Sequence, residues 1–86
     1  MKEKVNENRS IAYISMQYWN NVDGKPYNKI IEQAISDMDV GVKYVFIEDI
    51  AMKRGYYSSK LSNYMCRELY FKTKRKLIEN VAKLII

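Results

Sequence analysis

The sequence predicts an all-α domain of four to five helices built around a helix-turn-helix, with residues 42–46 as a candidate short extended piece. Three observations carry that expectation. Apolar residues recur at three- and four-residue spacing along most of the chain. Breaks are few, because the chain has only three Gly and one Pro. Small and apolar residues between Ile50 and Tyr64 fall where two short helices must cross at a tight turn. Eighty-six residues make one domain, which is expected to bury about 60–65% of the surface its unfolded chain exposes. A large catalytic cleft is hard to build on so small a core. Residues 1–9 are polar and read as a flexible N-terminus, and residues 10–86 read as the single domain.

Ser10 is placed to cap a first helix over about residues 11–21, where Ile11, Ile14 and Tyr18 form one row and Ala12, Met16 and Trp19 another. Residues 20–25, Asn-Asn-Val-Asp-Gly-Lys, are a break. Pro26 suits the first turn of a second helix, whose stripe is Tyr27, Ile30, Ile31, Ala34, Ile35 and Met38. Asp39-Val40-Gly41 ends it. Val42 to Phe46 is β-branched and aromatic enough for a strand, or else leads into a third helix at about residues 46–54, with Glu48 and Asp49 suiting that helix's first turn.

Ile50 then faces the core, and Ala51 lets the next helix lie across it. Gly55 is expected to take the left-handed conformation that ends helix three. Tyr56 covers the turn, while Leu61 and Tyr64, three apart, face inward from a recognition helix that starts near Ser58. No Gly or Pro follows Gly55, so a nearly continuous helix from about residue 58 to 84, about 40 Å long and bent near 71–73, is favoured over a restart at Thr73. Its apolar end, Leu77, Ile78, Val81, Leu84 and Ile85, is expected to pack as core. Leu77, Val81 and Leu84 are also the expected seam of a homodimer.

Charge is unevenly distributed. Residues 53–76 carry Lys53, Arg54, Lys60, Arg67, Lys72, Lys74, Arg75 and Lys76 against Glu68 alone, whereas the remainder has seven basic and nine acidic residues. The whole net charge of +5 therefore sits on and just after the recognition helix. Such a patch suits phosphates, whose condensed counterions are released on contact. Ser59, Ser62 and Asn63 are the candidates for base edges, with Asn63 favouring adenine. Lys60 and Arg67 can reach bases or phosphates. Lys53, Arg54, Tyr57, Ser58, Lys72, Lys74 and Arg75 are read as phosphate contacts.

Composition narrows the other classes. With no His and a single cysteine, Cys66, the usual zinc sites and any intrachain disulfide are excluded, and a reducing cytoplasm is expected. No apolar run approaches the ~18 residues that span a bilayer, and the charged start is unlike a signal peptide. Lys, Asn, Ile and Tyr, all with A/T-rich codons, make up 36 of 86 residues, which points to a low-GC bacterium, its phage or a plasmid. Asp37, Asp39, Glu48 and Asp49 show no pattern that requires convergence, so no enzyme, metal or cofactor is implied. Eight tyrosines and Trp19 raise the stacking of unpaired bases. Tyr13, Tyr18, Tyr27, Tyr44, Tyr64 and Tyr70 mostly fall in apolar stripes, however, so core filling is favoured.

Ile50-Ala51, Gly55-Tyr56 and Ser59-Lys60-Leu61-Ser62 resemble the first helix-turn-helix of AraC-type activators, in which an Ala, a Gly-aromatic turn and a Ser-x-Leu-Ser run recur. They are also similar to ArpU-type phage late-gene regulators and to the promoter-reading region of sigma factors. The resemblance covers about 20 residues and does not choose among these families. Arg54 stands where a small or aliphatic residue is usual, and Tyr57 where a Ser or Thr caps the recognition helix, leaving Ser58 to take over. The resemblance and the charge together imply sequence-specific binding of double-stranded DNA by a small transcription regulator, acting as a homodimer or beside RNA polymerase. The alternative is a basic helical protein that binds and inhibits or recruits a protein partner.

Overall fold

The structure is a computed structural model that describes residues 7–21 and 27–85. The expected helix start at Pro26 lies outside the described residues. Four α-helices, α1 (Glu7–Asn20), α2 (Lys29–Ala34), α3 (Val40–Met52) and α4 (Arg67–Leu84), are joined by turns, and no strand occurs among the described residues. The all-α expectation of four to five helices is thus met, with four. Two 3₁₀ turns, Tyr56–Ser58 and Lys60–Asn63, lie between α3 and α4.

The helix α1 opens with Glu7 in its first turn, where an acid suits the helix dipole, so residues 7–9 are helical. Ser10 is accordingly inside the helix and not its cap. It is fully buried, and its hydroxyl donates to the Ile78 carbonyl at 2.7 Å, tying α1 to α4. Ile14 is buried from the same side, whereas Met16 and Trp19 face solvent.

Asn28 caps α2, with its side chain accepting from the Ile31 N–H at 3.0 Å, while the Glu32 carboxylate accepts from the Tyr27 N–H at 3.0 Å. Six residues suffice because Ile31, Ala34 and Ile35 go straight into the core. Asn80 of α4 donates to the Ala34 carbonyl at 3.1 Å, holding the end of this short helix.

Residues 42–46 are helical, so the strand reading is set aside in favour of α3 starting at Val40. The earlier start moves Asp49 from the expected first turn to the last turns of the helix, on the side of Phe46 and Ile50, and buries it completely. The end of α3 also differs from expectation. Lys53, not Gly55, takes the left-handed conformation (φ 59°, ψ 39°), and the Arg54 N–H donates to the Asp49 carbonyl at 2.8 Å, a Schellman closure. Gly55 is extended (φ −91°, ψ −175°).

The expected continuous helix from 58 to 84 is replaced by the two 3₁₀ turns, a turn at residues 64–66 and α4. Ser59 is the cause of the first break. It is extended (φ −84°, ψ 147°), drawn inward towards Asp49, and its hydroxyl accepts from the Leu61 N–H at 3.0 Å. Ser59, and not Ser58, is therefore a cap, and it caps four residues only. Cys66, also extended, precedes α4.

The core joins Ile14, Ile31, Ile35, Phe46, Ile47, Ile50, Leu61, Tyr70, Leu77, Ile78 and Val81. Ala51 and Leu61 are buried as the crossing of two short helical segments requires. Leu77 and Val81 are fully buried inside this one chain and Leu84 is half-buried, so the stripe read as a dimer seam is occupied by the chain's own core. Among the described residues no helix is long and apolar enough to cross a membrane.

Candidate functional site

Between α3 and α4 a buried carboxylate organises the turn. Asp49 Oδ2 accepts from the Ser59 hydroxyl and, at 2.9 Å, from the Tyr70 hydroxyl, while Oδ1 stands 3.6 Å from Arg54 Nη1. Arg54 Nη1 also lies 3.1 Å from Glu48 Oε2. Lys74 Nζ donates to the Arg54 carbonyl at 2.9 Å and sits 5.4 Å from the centre of the Tyr70 ring. Its partial burial pulls the ammonium below its ordinary value, an effect that Asp49 opposes. The Tyr56 hydroxyl donates to the carbonyls of Ser62 (3.0 Å) and Met65 (2.7 Å), and its ring lies edge-on to Tyr70 at 5.3 Å. Burial, then the bond to Asp49, pushes the Tyr70 hydroxyl from 10.0 up to about 12.

That shift makes a prediction. Because the folded value of Tyr70 lies above the unfolded one, the stability linked to this group is fully present below pH 10 and is lost as the pH rises towards 12. Burial raises Tyr27 and Tyr44 above 10.0 as well, but Tyr70 is expected to ionise last. A spectrophotometric titration of tyrosinate absorbance should show a late step that vanishes in Tyr70→Phe. A wild-type titration complete at ordinary tyrosine values would contradict the network.

This scaffold sorts the residues expected to touch nucleic acid. Ser59 is only 4% exposed, with its hydroxyl spent on Asp49 and Leu61, so it cannot reach a base edge. Ser62 is half-buried, and its carbonyl serves Tyr56. Arg54 and Lys74 are also removed as free phosphate contacts, since one is paired with Glu48 and Asp49 and the other is held on the Arg54 carbonyl. Lys76 pairs with Asp37 at 3.2 Å, on the side of α4 where a groove is lined by Met38, Val42, Met65 and Leu69.

What remains exposed is Lys53, Tyr57, Ser58, Lys60, Asn63 and Arg67 around the two 3₁₀ turns, with Lys72 and Arg75 further along α4. From Ile50 to Arg67 the sequence contains no Asp or Glu. The outward side of α4 is different in kind, since Lys72 follows Glu68, and Glu79 follows Arg75, each by four residues. Such spacing favours pairing along the helix. Between Ile50 and Arg67 the exposed basic residues are Lys53, Lys60 and Arg67.

Two features escaped the sequence reading. Asp49 looked like a dipole-suited acid, although its three-residue separation from Phe46 places it on the buried side of any helix spanning both. Tyr64 was expected inward and is 80% exposed, close to the 82% of Tyr57. The chain turns away at residues 64–66 before α4 begins, so the helical spacing from Leu61 no longer applies at Tyr64.

No protein-family model, curated protein or solved structure matches this chain.

Proposed function

We infer that the chain binds DNA through the surface around the two 3₁₀ turns up to Arg67, where the sequence from Ile50 to Arg67 holds no Asp or Glu. The observation that supports this reading is the exposure of Lys53, Lys60 and Arg67, with Asn63, Tyr57 and Ser58 between them, on a stretch without a single carboxylate. Neutralising about three phosphates gives a salt slope of about −2.7 on duplex DNA, so affinity falls as salt rises. Lys60 and Asn63 are the polar groups left to meet base edges, and Asn63 suits adenine. The second 3₁₀ turn, Lys60–Asn63, spans about 8 Å, shorter than the reach of a recognition helix along the major groove. The expected binding is therefore driven by phosphates, with a modest sequence preference. In this reading the chain is a small phage, plasmid or bacterial transcription regulator that uses double-stranded DNA.

Binding to a labelled random duplex at several salt concentrations tests the reading. Lys60→Ala with Arg67→Ala should lower the magnitude of the salt slope by about 1.8, and Asn63→Ala should flatten any enrichment in a selection from random sequence. No binding at low salt would sink the reading. It would favour instead a protein partner for the same exposed tyrosines and lysines.

A further inference from the structure

We propose that Tyr57 and Tyr64 form a stacking site for unpaired nucleobases, so that single-stranded or locally melted DNA is the form this surface holds most tightly. The proposal rests on the DNA-binding reading of the same surface and specifies the state of the bases.

Several aromatic rings reach solvent, Trp19 at 57% among them, but Tyr57 at 82% and Tyr64 at 80% are the most exposed, and they lie within eight residues of one another. Two phenol rings in water contribute little to the fold. They are nonetheless carried on a fixed frame. The Tyr57 ring meets that of Tyr56 edge-on at 5.1 Å and 73°, and the Tyr56 hydroxyl is anchored on the carbonyls of Ser62 and Met65, which flank Tyr64 in the chain. Tyr56 in turn abuts the buried Tyr70 at 5.3 Å. The Tyr57 ring therefore starts from a packed position and Tyr64 from an anchored stretch of backbone, which lowers the entropy cost of binding.

Their surroundings suit a nucleic-acid strand. Lys53, Lys60 and Arg67 offer phosphate contacts, and Asn63 an amide for a base edge. An intact duplex shows only base edges in its grooves, so two exposed ring faces find no base face there. Unpaired bases provide those faces, and stacking tolerates any sequence.

The test uses two fluorescent probes, an oligothymidine of roughly 12 nucleotides, within the usual site size, and a duplex of equal length. The intact chain should bind the oligothymidine more tightly. Tyr57→Ala and Tyr64→Ala should each weaken that binding about 5- to 150-fold, without changing the salt slope, whereas Tyr57→Phe and Tyr64→Phe should retain it. Both positions are exposed, so the variants fold. Alanine variants within about twofold of the parent on oligothymidine would overturn the stacking site. If duplex binding that depends on Lys60 and Arg67 persisted alongside that result, the DNA reading would stand without it. Tyr-dependent oligothymidine binding with no duplex binding at low salt would overturn the duplex reading and keep the stacking site, and binding to neither probe would overturn both.

Discussion

Asp49→Ala should cost about 2–6 kcal/mol of folding stability, the scale set by two buried hydroxyls that lose their acceptor. The residue is fully buried and accepts from two hydroxyls that are themselves inside the protein, Ser59 and Tyr70. Deleting the carboxylate leaves both without an acceptor, at about 1–3 kcal/mol for each unsatisfied group, and takes one anion from Arg54. A chain of this length has about 4–13 kcal/mol in total, so the variant should sit near the edge of folding. Asp49→Asn keeps an acceptor and the shape, and should lose less. The triple variant Asp49→Leu, Ser59→Ala, Tyr70→Phe should recover part of the loss, because it removes the donors together with their acceptor. Urea unfolding of the four chains checks the order. A single Asp49→Ala shift under about 1 kcal/mol would show that the network does not hold the turn.

The same network explains which features the sequence discloses. Stripes that act within one helix were legible. Ile31, Ala34 and Ile35 enter the core as their spacing implies, and Ile50, Ala51 and Leu61 are buried as expected. Features decided by distant partners were not. Ser59 reads locally as a helix-terminus residue free to meet DNA, and only Asp49, ten positions earlier, draws it inside and splits the expected helix into two 3₁₀ turns. Likewise the basic segment reads as uniformly available, but Arg54 is taken by Glu48 and Asp49, and Lys76 by Asp37. Three-dimensional pairing thus trims the charge that a linear count places at the surface. It leaves the shorter surface from Lys53 to Arg67, where the exposed tyrosines lie.

Leu77→Ala should cost about 2–5 kcal/mol, and that cost should not depend on protein concentration. Leu77 sits on the buried side of α4 with Tyr70, Ile78 and Val81, and belongs to a single cluster with Ile14, Ile31 and Phe46 from the other three helices. Removing its branched end opens a cavity in that cluster, against which the short α2 is packed through Ile31, Ala34 and Ile35 and tied by the bond from Asn80. A seam between copies would behave differently, since its loss would weaken association and make the melting temperature depend on dilution. Thermal melts of Leu77→Ala and the parent over a hundredfold dilution separate the two cases. A difference between them that grows on dilution would return Leu77 to an interface. A constant difference of about 8–20 °C, scaled from roughly 4 °C per kcal/mol at this size, would keep it in the core. A second copy that met the outward row of α4, where Lys72, Arg75 and Lys83 lie with Glu68 and Glu79, would do so largely through charges, so that contact would weaken with salt, a dependence that the same melts can read directly.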